Sequence, residues 1–364
     1  MTDFNLRAPR SAVAETYAER LFTATLGAYE SLSVYAGLRL GWFAALAEDG
    51  PATSAELAAR TGTQERYCRE FCEMQAGLGT LTVESGSTGA DRVYALPPGP
   101  AEVLLDEQSL NHLGPLTRLV AAAGRQIDPL LDAYRNGGGV SWAELGNDAR
   151  ESQAALNRPW FTRRLGPALA EAGDLHAELG RPGARIADVG CGAGWSTFAL
   201  GHAYPEATVI GLDVDQPSIE AARAAAATEG LADRVRFAVA NGETLAELGP
   251  FDAAFAFECL HDMPQPVEVL QAIRQAVRPG GPVAIMDEAV DDAFSAPASE
   301  VDQCMYAFSL FICLPDGLSS SPSAGTGTVL RKPLLDDYAH RAGFAEVTVL
   351  PISDFGFFRF YRLS

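Results

Sequence analysis

The stretch Asp188–Ser196, DVGCGAGWS, lies between a short apolar run, ARIADVG, and a helix-forming one, and it carries glycines at 190, 192 and 194. A glycine-rich turn between strand and helix lets a ligand touch main chain where a Cβ would collide, and it aims helix amides at that ligand. The spacing is G-x-G-x-G, so the G-x-G-x-x-G pyrophosphate cradle of a dinucleotide enzyme fits less well.

Downstream of this turn the pattern alternates between strand and helix. ATVIGLD, RVRFAVA, FDAAFAFE and PVAIMDE read as buried strands, separated by helical stretches at 196–203, 218–228 and 266–277. Such alternation predicts a mostly parallel, doubly wound sheet whose ligands sit at the carboxyl ends of its strands. EVTVLPIS and FFRFYRLS close the chain as an antiparallel pair at the sheet edge. The strand ends are polar while the strand bodies are apolar: Asp213, then Asn241 and Gly242, then Glu258, His261 and Asp262. Asp213 follows Gly190 by 23 residues, where an acidic side chain can accept both hydroxyls of a ribose. These features together outline a cofactor cleft.

The 364 residues are long enough for two domains, and 48% hydrophobic content supplies a sizeable core. No apolar run reaches the ~18 residues of a membrane span. The opening MTDFNLRAPRSAVAE lacks the apolar core of a signal peptide, so the chain reads as cytoplasmic. Six cysteines with no C-x-x-C pair fit reduced thiols, and Cys68 and Cys72, four apart, read as helix core and not as metal ligands. Only one of the 27 basic residues is lysine, a bias that hints at a GC-rich bacterial genome. The net charge of −20 repels nucleic acid and anionic membranes, leaving a small-molecule substrate and protein partners.

From Ala12 to about Leu46, apolar residues recur at helical spacing, interrupted by Gly27, Gly37 and Gly41, which predicts two or three packed helices. Thr53 or Ser54 caps the next helix, Gly62 closes it, and Thr63 opens a longer one to about Leu78. TLTVES and DRVYAL flank the turn GSTG as a hairpin. Helix, turn, helix, hairpin is a winged helix. Over residues 1–110, eight arginines face fifteen acidic residues, and the second helix has no basic stripe, so dimerisation fits this module better than DNA reading. The expected organisation is a winged-helix domain at 1–110, a helical connector at 111–180 with a glycine-rich joint NGGGVSW, and a sheet domain at 181–364.

The ordered segments DVGCGAGWSTFAL, VIGLDVD, NGETL and FDAAFAFECLHDMPQPVEVLQAIRQAVRPGG resemble the class I S-adenosylmethionine (SAM) methyltransferases over about half of the chain. The preceding half is similar to that of the small-molecule O-methyltransferases, in which the winged helix builds a homodimer and helps wall the substrate pocket. The resemblance implies an α/β, Rossmann-like doubly wound sheet with a mainly helical winged-helix domain, SAM as cofactor and a homodimer, and no metal is expected. It places Gly190, Gly192 and Gly194 under the methionine part of SAM, with Asp188 below them. Asp213 takes the ribose hydroxyls, Val214 the adenine ring, and Asn241 the place of an aspartate that accepts from the adenine amino group, with Gly242 and Glu258 beside them.

Methyl transfer is a displacement, so acceptor, methyl and sulfur must be aligned, and a hydroxyl acceptor must lose a proton. His261, in LHDM, stands where relatives keep a base, and Asp287 or Glu288, with Glu288 taken as the catalytic one, falls near the carboxylate that orients it. Asp262 reads as a helix cap. Met305 and Phe308, at helical spacing with Phe311, are expected to line an apolar pocket, with Trp160 and Phe161 covering its other side. PDGLSSSPSAGTGTVLRKP reads as a mobile lid, too polar to pack. The expected reaction is methylation of a hydroxyl on an aromatic or polyketide-like metabolite. The alternative is a SAM-binding transcriptional regulator acting through the winged helix.

Overall fold

The computed structural model describes residues 12–84 and 89–364, and the chain divides into two compact units. Of the described residues, the first unit comprises 12–84, 89–106 and 111–121, the second 107–110 and 122–364, so from residue 122 the helices expected as a connector pack with the sheet.

The first unit opens with α1 (Ala12–Arg39), one continuous helix, followed by α2 (Trp42–Glu48). Gly27 and Gly37 do not break α1. A Cβ at Gly37 would lie 2.6 Å from the rings of Phe43 and Phe71, so that glycine answers a packing demand, while Gly41, at φ 73°, makes the turn. Next come β1 (Ala52–Thr53), α3 (Ser54–Thr61), α4 (Glu65–Leu78), β2 (Thr82–Val83), β3 (Val93–Ala95) and α5 (Pro98–Leu105). Thr53 caps α3 in a reciprocal box with Glu56, and Gly62 ends it in the left-handed conformation. Thr63 does not cap α4. Gln64 holds that position, and the Thr63 hydroxyl accepts from the Trp42 indole at 2.9 Å. The three strands pair antiparallel in the order β1-β3-β2, the wing of the winged helix, and most of the expected turn GSTG lies outside the described residues. Cys68 and Cys72 are buried among Phe43, Leu57 and Phe71.

Helix α6 (Leu116–Arg125) leads into the second unit, which begins with α7 (Ile127–Asn136), α8 (Trp142–Trp160), α9 (Gly166–Glu171) and α10 (Gly173–Leu179). Helix α8 is broken at Gly146 and runs into a π turn at Phe161–Leu165. The sheet follows: β4 (Arg185–Val189), α11 (Trp195–Ala203), β5 (Thr208–Asp213), α12 (Gln216–Thr228), β6 (Val235–Val239), β7 (Ala253–Phe257), α13 (Pro266–Ala276) and β8 (Val283–Glu288). Beyond it lie α14 (Glu300–Phe308), a π turn at Ser309–Cys313, α15 (Leu314–Leu318), α16 (Lys332–Ala342), β9 (Val347–Val349) and β10 (Phe358–Leu363). The strand order is β6-β5-β4-β7-β8-β10-β9, parallel except for β10, which runs antiparallel between β8 and β9. Apolar side chains fill both faces of the sheet, which is why its strands read as continuous apolar runs. The strand order reverses beside β4, its first parallel strand, and the carboxyl ends of β4, β5 and β7 meet there, the place where sheets of this kind take ligands.

Candidate active site

The glycine loop leaves β4 with three left-handed residues, Gly190, Gly192 and Gly194, at φ 72°, 51° and 86°. They differ in what a side chain would meet. A Cβ at Gly190 would lie 2.6 Å from Cys259 Sγ, and one at Gly194 would lie 2.7 Å from the Phe237 ring. At Gly192 nothing lies within 4 Å. Two of the glycines therefore serve the packing of the loop, and Gly192 alone opens on space. Asp188 points into the fold: its Oδ2 accepts from the hydroxyls of Ser196 at 2.7 Å and Thr197 at 2.6 Å, tying β4 to the start of α11. Burial pushes its carboxyl up to about 6.

Asp213 is welded to the same loop. Its Oδ2 accepts from Gly192 N and its Oδ1 from Asp215 N, both at 2.8 Å, which leaves one lone pair on each oxygen for a further donor. Val214 beside it is 69% exposed, an apolar side chain just beyond the carboxyl end of β5. Asn241 uses its Oδ1 to cap the short turn Gly242–Glu247, accepting from Glu243 N at 3.2 Å. Gly242 is buried, its Cβ position 3.0 Å from Val269.

Glu258, at the end of β7, is the one non-glycine with positive φ among the described residues, at 53°. That conformation costs of order 1 kcal/mol and persists only where neighbours hold it. The neighbours are on α8: Gln153 Nε2 donates to Oε1 at 2.9 Å and Asn157 Nδ2 to Oε2 at 2.7 Å. Burial nevertheless pushes the Glu258 carboxyl up to about 7. The sequence reading missed Gln153 and Asn157, whose only signal is polar residues four apart in an ordinary amphipathic helix.

His261 is 2% exposed and faces carboxylates on both ring nitrogens. Nδ1 donates to Asp287 Oδ1 at 2.9 Å and lies 3.3 Å from Glu288 Oε2, while Nε2 lies 3.3 Å from Asp262 Oδ1. Burial alone favours the neutral ring, but Asp262, Asp287 and Glu288 outweigh it and raise its pKa well above the ordinary histidine value. Burial likewise opposes ionisation of Asp287, yet the His261 charge holds that carboxyl below its usual range. Glu288, buried beside the charge on Asp287, keeps its proton well above the usual range. Asp287 is thus the residue that directly orients the ring. Glu288, the carboxylate expected to be catalytic, lies 3.3 Å from the same Nδ1 and hydrogen-bonds to Asp287. Asp262 is not a cap, because Gln265 occupies that position of α13 and Asp262 turns to His261. The Cys313 thiol also touches Asp262 and His261.

Residues 186–281 match a family model described as a methyltransferase domain, and residues 28–105 match the Rv2258c-like winged HTH domain. The acetylserotonin O-methyltransferase of Mus musculus is 28% identical over 79% of this chain and 78% of its own. The methyltransferase GfsG of Streptomyces halstedii is 35% identical over 36% of this chain and 50% of its own. Several curated relatives are matched over only 25 to 55% of their own length. The solved mitomycin 7-O-methyltransferase MmcR superposes with a TM-score of 0.69, at 21% identity, over 97% of this chain and 99% of that one. The chain has the class I methyltransferase fold, with a winged-helix domain preceding it in sequence.

In this chain the segment expected as a lid is tied to the site by main-chain contacts. Gly327 N donates to His261 O at 3.1 Å and Ala324 N to Pro264 O at 2.7 Å, so main-chain hydrogen bonds hold a stretch whose side chains are too polar to do so. Met305 is buried and Phe308 half-buried, and neither lines the nearby hollow of about 280 Å³, which is bordered by Tyr306, Leu310, Leu314 and Val329. Trp160 and Phe161 turn into the core, where both rings pack on Phe355. On α4 the Arg66 and Arg69 side chains pair with Glu70 and Glu65, and Arg92 of the wing pairs with Glu73.

Proposed function

We propose that this methyltransferase moves the methyl group of SAM to a hydroxyl of an aromatic or polyketide-like small molecule. The observation that carries the reading is Gly192, a left-handed residue with open space at its Cβ position, set between Asp213 and Glu258 at the carboxyl edge of the sheet. That donor set fits the cofactor. Asp213 offers two acceptors for a ribose diol, Val214 an exposed apolar surface for adenine, Asn241 and Gly242 the far wall, and Glu258 an anion. Asp188, Gly190 and Gly194 hold the loop in shape around Gly192. SAM supplies an activated methyl on a sulfonium. The chain's own residues align the acceptor, exclude water and take up its proton at Nε2 of His261, with Asp287 holding the ring and Glu288 holding Asp287. Met305 and Phe308 back the acceptor pocket.

The working form is a cytoplasmic homodimer. Val13, Tyr17, Leu21, Phe22, Leu26 and Tyr29 of α1 are at least half exposed, an apolar surface that a second copy of this chain covers. The six cysteines are all free, consistent with a reducing compartment, and among the described residues no helix is long and apolar enough to cross a membrane. The paired arginines of α4 and the wing give a regulator reading no basic surface to work with. Calorimetry with S-adenosylhomocysteine tests the cofactor assignment. Micromolar binding, on the order of −7 to −8 kcal/mol, that weakens in Asp213→Ala supports it, and no binding by the native protein overturns it.

A further inference from the structure

Helix α8 crosses the carboxyl ends of two strands with one polar face. Arg150 reaches Asp215 just beyond β5 at 2.8 Å, and Gln153 and Asn157, three and seven residues on, both reach Glu258 at the end of β7. The start of the helix is anchored as firmly, with Val140 N donating to Pro315 O at 3.1 Å and Trp142 N to Asp316 at 2.7 Å. The strap is therefore fixed along its length, and what it fixes at Glu258 is unusual. Each oxygen of that carboxylate accepts one neutral amide, and among the described residues no arginine or lysine pairs with it, the charge on His261 acting on it without an ion-pair contact. Amides orient a carboxylate without neutralising it. A carboxylate so oriented, in a strained backbone conformation and desolvated enough that its proton leaves only near pH 7, is arranged for a cation that arrives from outside the protein.

The position of Glu258 narrows the choice of cation. Strand β4, with the glycine loop, lies between β5 and β7, so Glu258 stands two strands, roughly 10 Å, from Asp213. Of the groups on SAM, the diol calls for paired acceptors and the amino-acid tail carries the ammonium. Resting on the cofactor reading above, we infer that Gln153 and Asn157 of α8 are positioning residues that hold the Glu258 carboxylate as the receptor for the ammonium of the cofactor's amino-acid tail. The helix ahead of the sheet domain thereby selects for the tail, and the sheet for the nucleoside.

Calorimetry with three probes tests this: S-adenosylhomocysteine, its des-amino analogue, and 5′-methylthioadenosine, which lacks the tail. The native protein is expected to prefer S-adenosylhomocysteine over the des-amino analogue by on the order of 10–100-fold, the range of a hydrogen bond between charged groups. In Glu258→Gln, and separately in the Gln153→Leu/Asn157→Leu double variant, that preference is expected to fall to less than about threefold, with 5′-methylthioadenosine bound as in the native protein. Melting curves of both variants identify one that fails to fold, and the other then carries the test. Unchanged discrimination in a folded variant overturns the inference while leaving the cofactor reading in place. Failure of the native protein to bind any of the three overturns both.

Discussion

Replacing Gly190, Gly192 and Gly194 one at a time by alanine separates what the loop does for the fold from what it does for a ligand. All three sit at positive φ, so each variant bears a left-handed alanine, a cost of about 1–2 kcal/mol. At Gly194 the new methyl also lies 2.7 Å from the Phe237 ring and 3.1 Å from Ala222 Cβ, both held in the core, and overpacking of this kind adds about 1–3 kcal/mol. The sum, roughly 2–5 kcal/mol, corresponds to a melting point lower by roughly 5–15 °C for a unit of this size. At Gly192 the methyl meets nothing, so only the backbone cost of about 1–2 kcal/mol applies and the loss is roughly 3–6 °C.

Binding should follow the opposite order. The methyl at Gly192 points into the open space assigned to the cofactor, so Gly192→Ala is expected to lose tenfold or more in affinity for S-adenosylhomocysteine while remaining folded. Gly190→Ala meets Cys259 Sγ at 2.6 Å and Cys259 Cβ at 2.8 Å; Cys259→Ala removes only the first contact, so the double variant should recover only part of the lost stability. Thermal unfolding followed by calorimetry reads both quantities. The reasoning is refuted if Gly192→Ala melts as low as Gly194→Ala, or if it binds as tightly as the native protein.

Three further outcomes are expected. Asp188 has its carboxyl raised from 3.8 to about 6 by burial, so its contribution to stability is fully present below pH 3.8 and is lost as pH rises through 6, a fall of about 3 kcal/mol. Asp188→Asn should flatten the stability curve between pH 4 and 7, and parallel curves for variant and native protein contradict this. His261→Ala should lower turnover ~10²–10⁴-fold with S-adenosylhomocysteine affinity nearly unchanged. Because its carboxylate neighbours hold the His261 proton, the rate should rise with pH through a pKa above 6.5, and Asp262→Asn should move that limb downward. A limb that stays in place in Asp262→Asn removes Asp262 from control of the ring. Light scattering should give a dimer that Leu21→Asp/Leu26→Asp dissociates, and a native monomer at micromolar concentration excludes pairing through α1.

The sheet was legible because its physics is one-dimensional. A strand buried on both faces reads as an apolar run, and a strand end that meets a ligand interrupts that run with glycine or a polar residue. DVGCGAGWS, VIGLDVD and FECLHDM each show this interruption. The glycines of α1 were harder, because a glycine inside a helical pattern has the same letter whether it breaks the helix or admits a neighbour. Gly37 admits the rings of Phe43 and Phe71, whereas Gly41 turns the chain, and only the contact at the missing Cβ tells them apart.

The site was legible only where its residues follow a strand. Asp262 precedes a proline-rich helix start, the local setting of a cap, and the competing reading depended on the His261 ring, whose orientation is set by Asp287 from a neighbouring strand. Gln153 and Asn157 were invisible for a stronger reason. Their partner is about a hundred residues away, and a polar pair spaced four apart is what any solvated helix face presents. A one-dimensional pattern distinguishes a polar face that meets water from an apolar face that meets the core, but not from a polar face that meets a single buried carboxylate. The contacts of the lid segment were invisible in the same way, since main-chain hydrogen bonds from Ala324 and Gly327 tie it to the site and main-chain bonds leave no trace in side-chain composition. Gln153, Asn157 and the lid segment all make polar contacts at long range. The strained backbone of Glu258 is the local mark that such a contact leaves, because a non-glycine residue stays at positive φ only when distant partners hold it there.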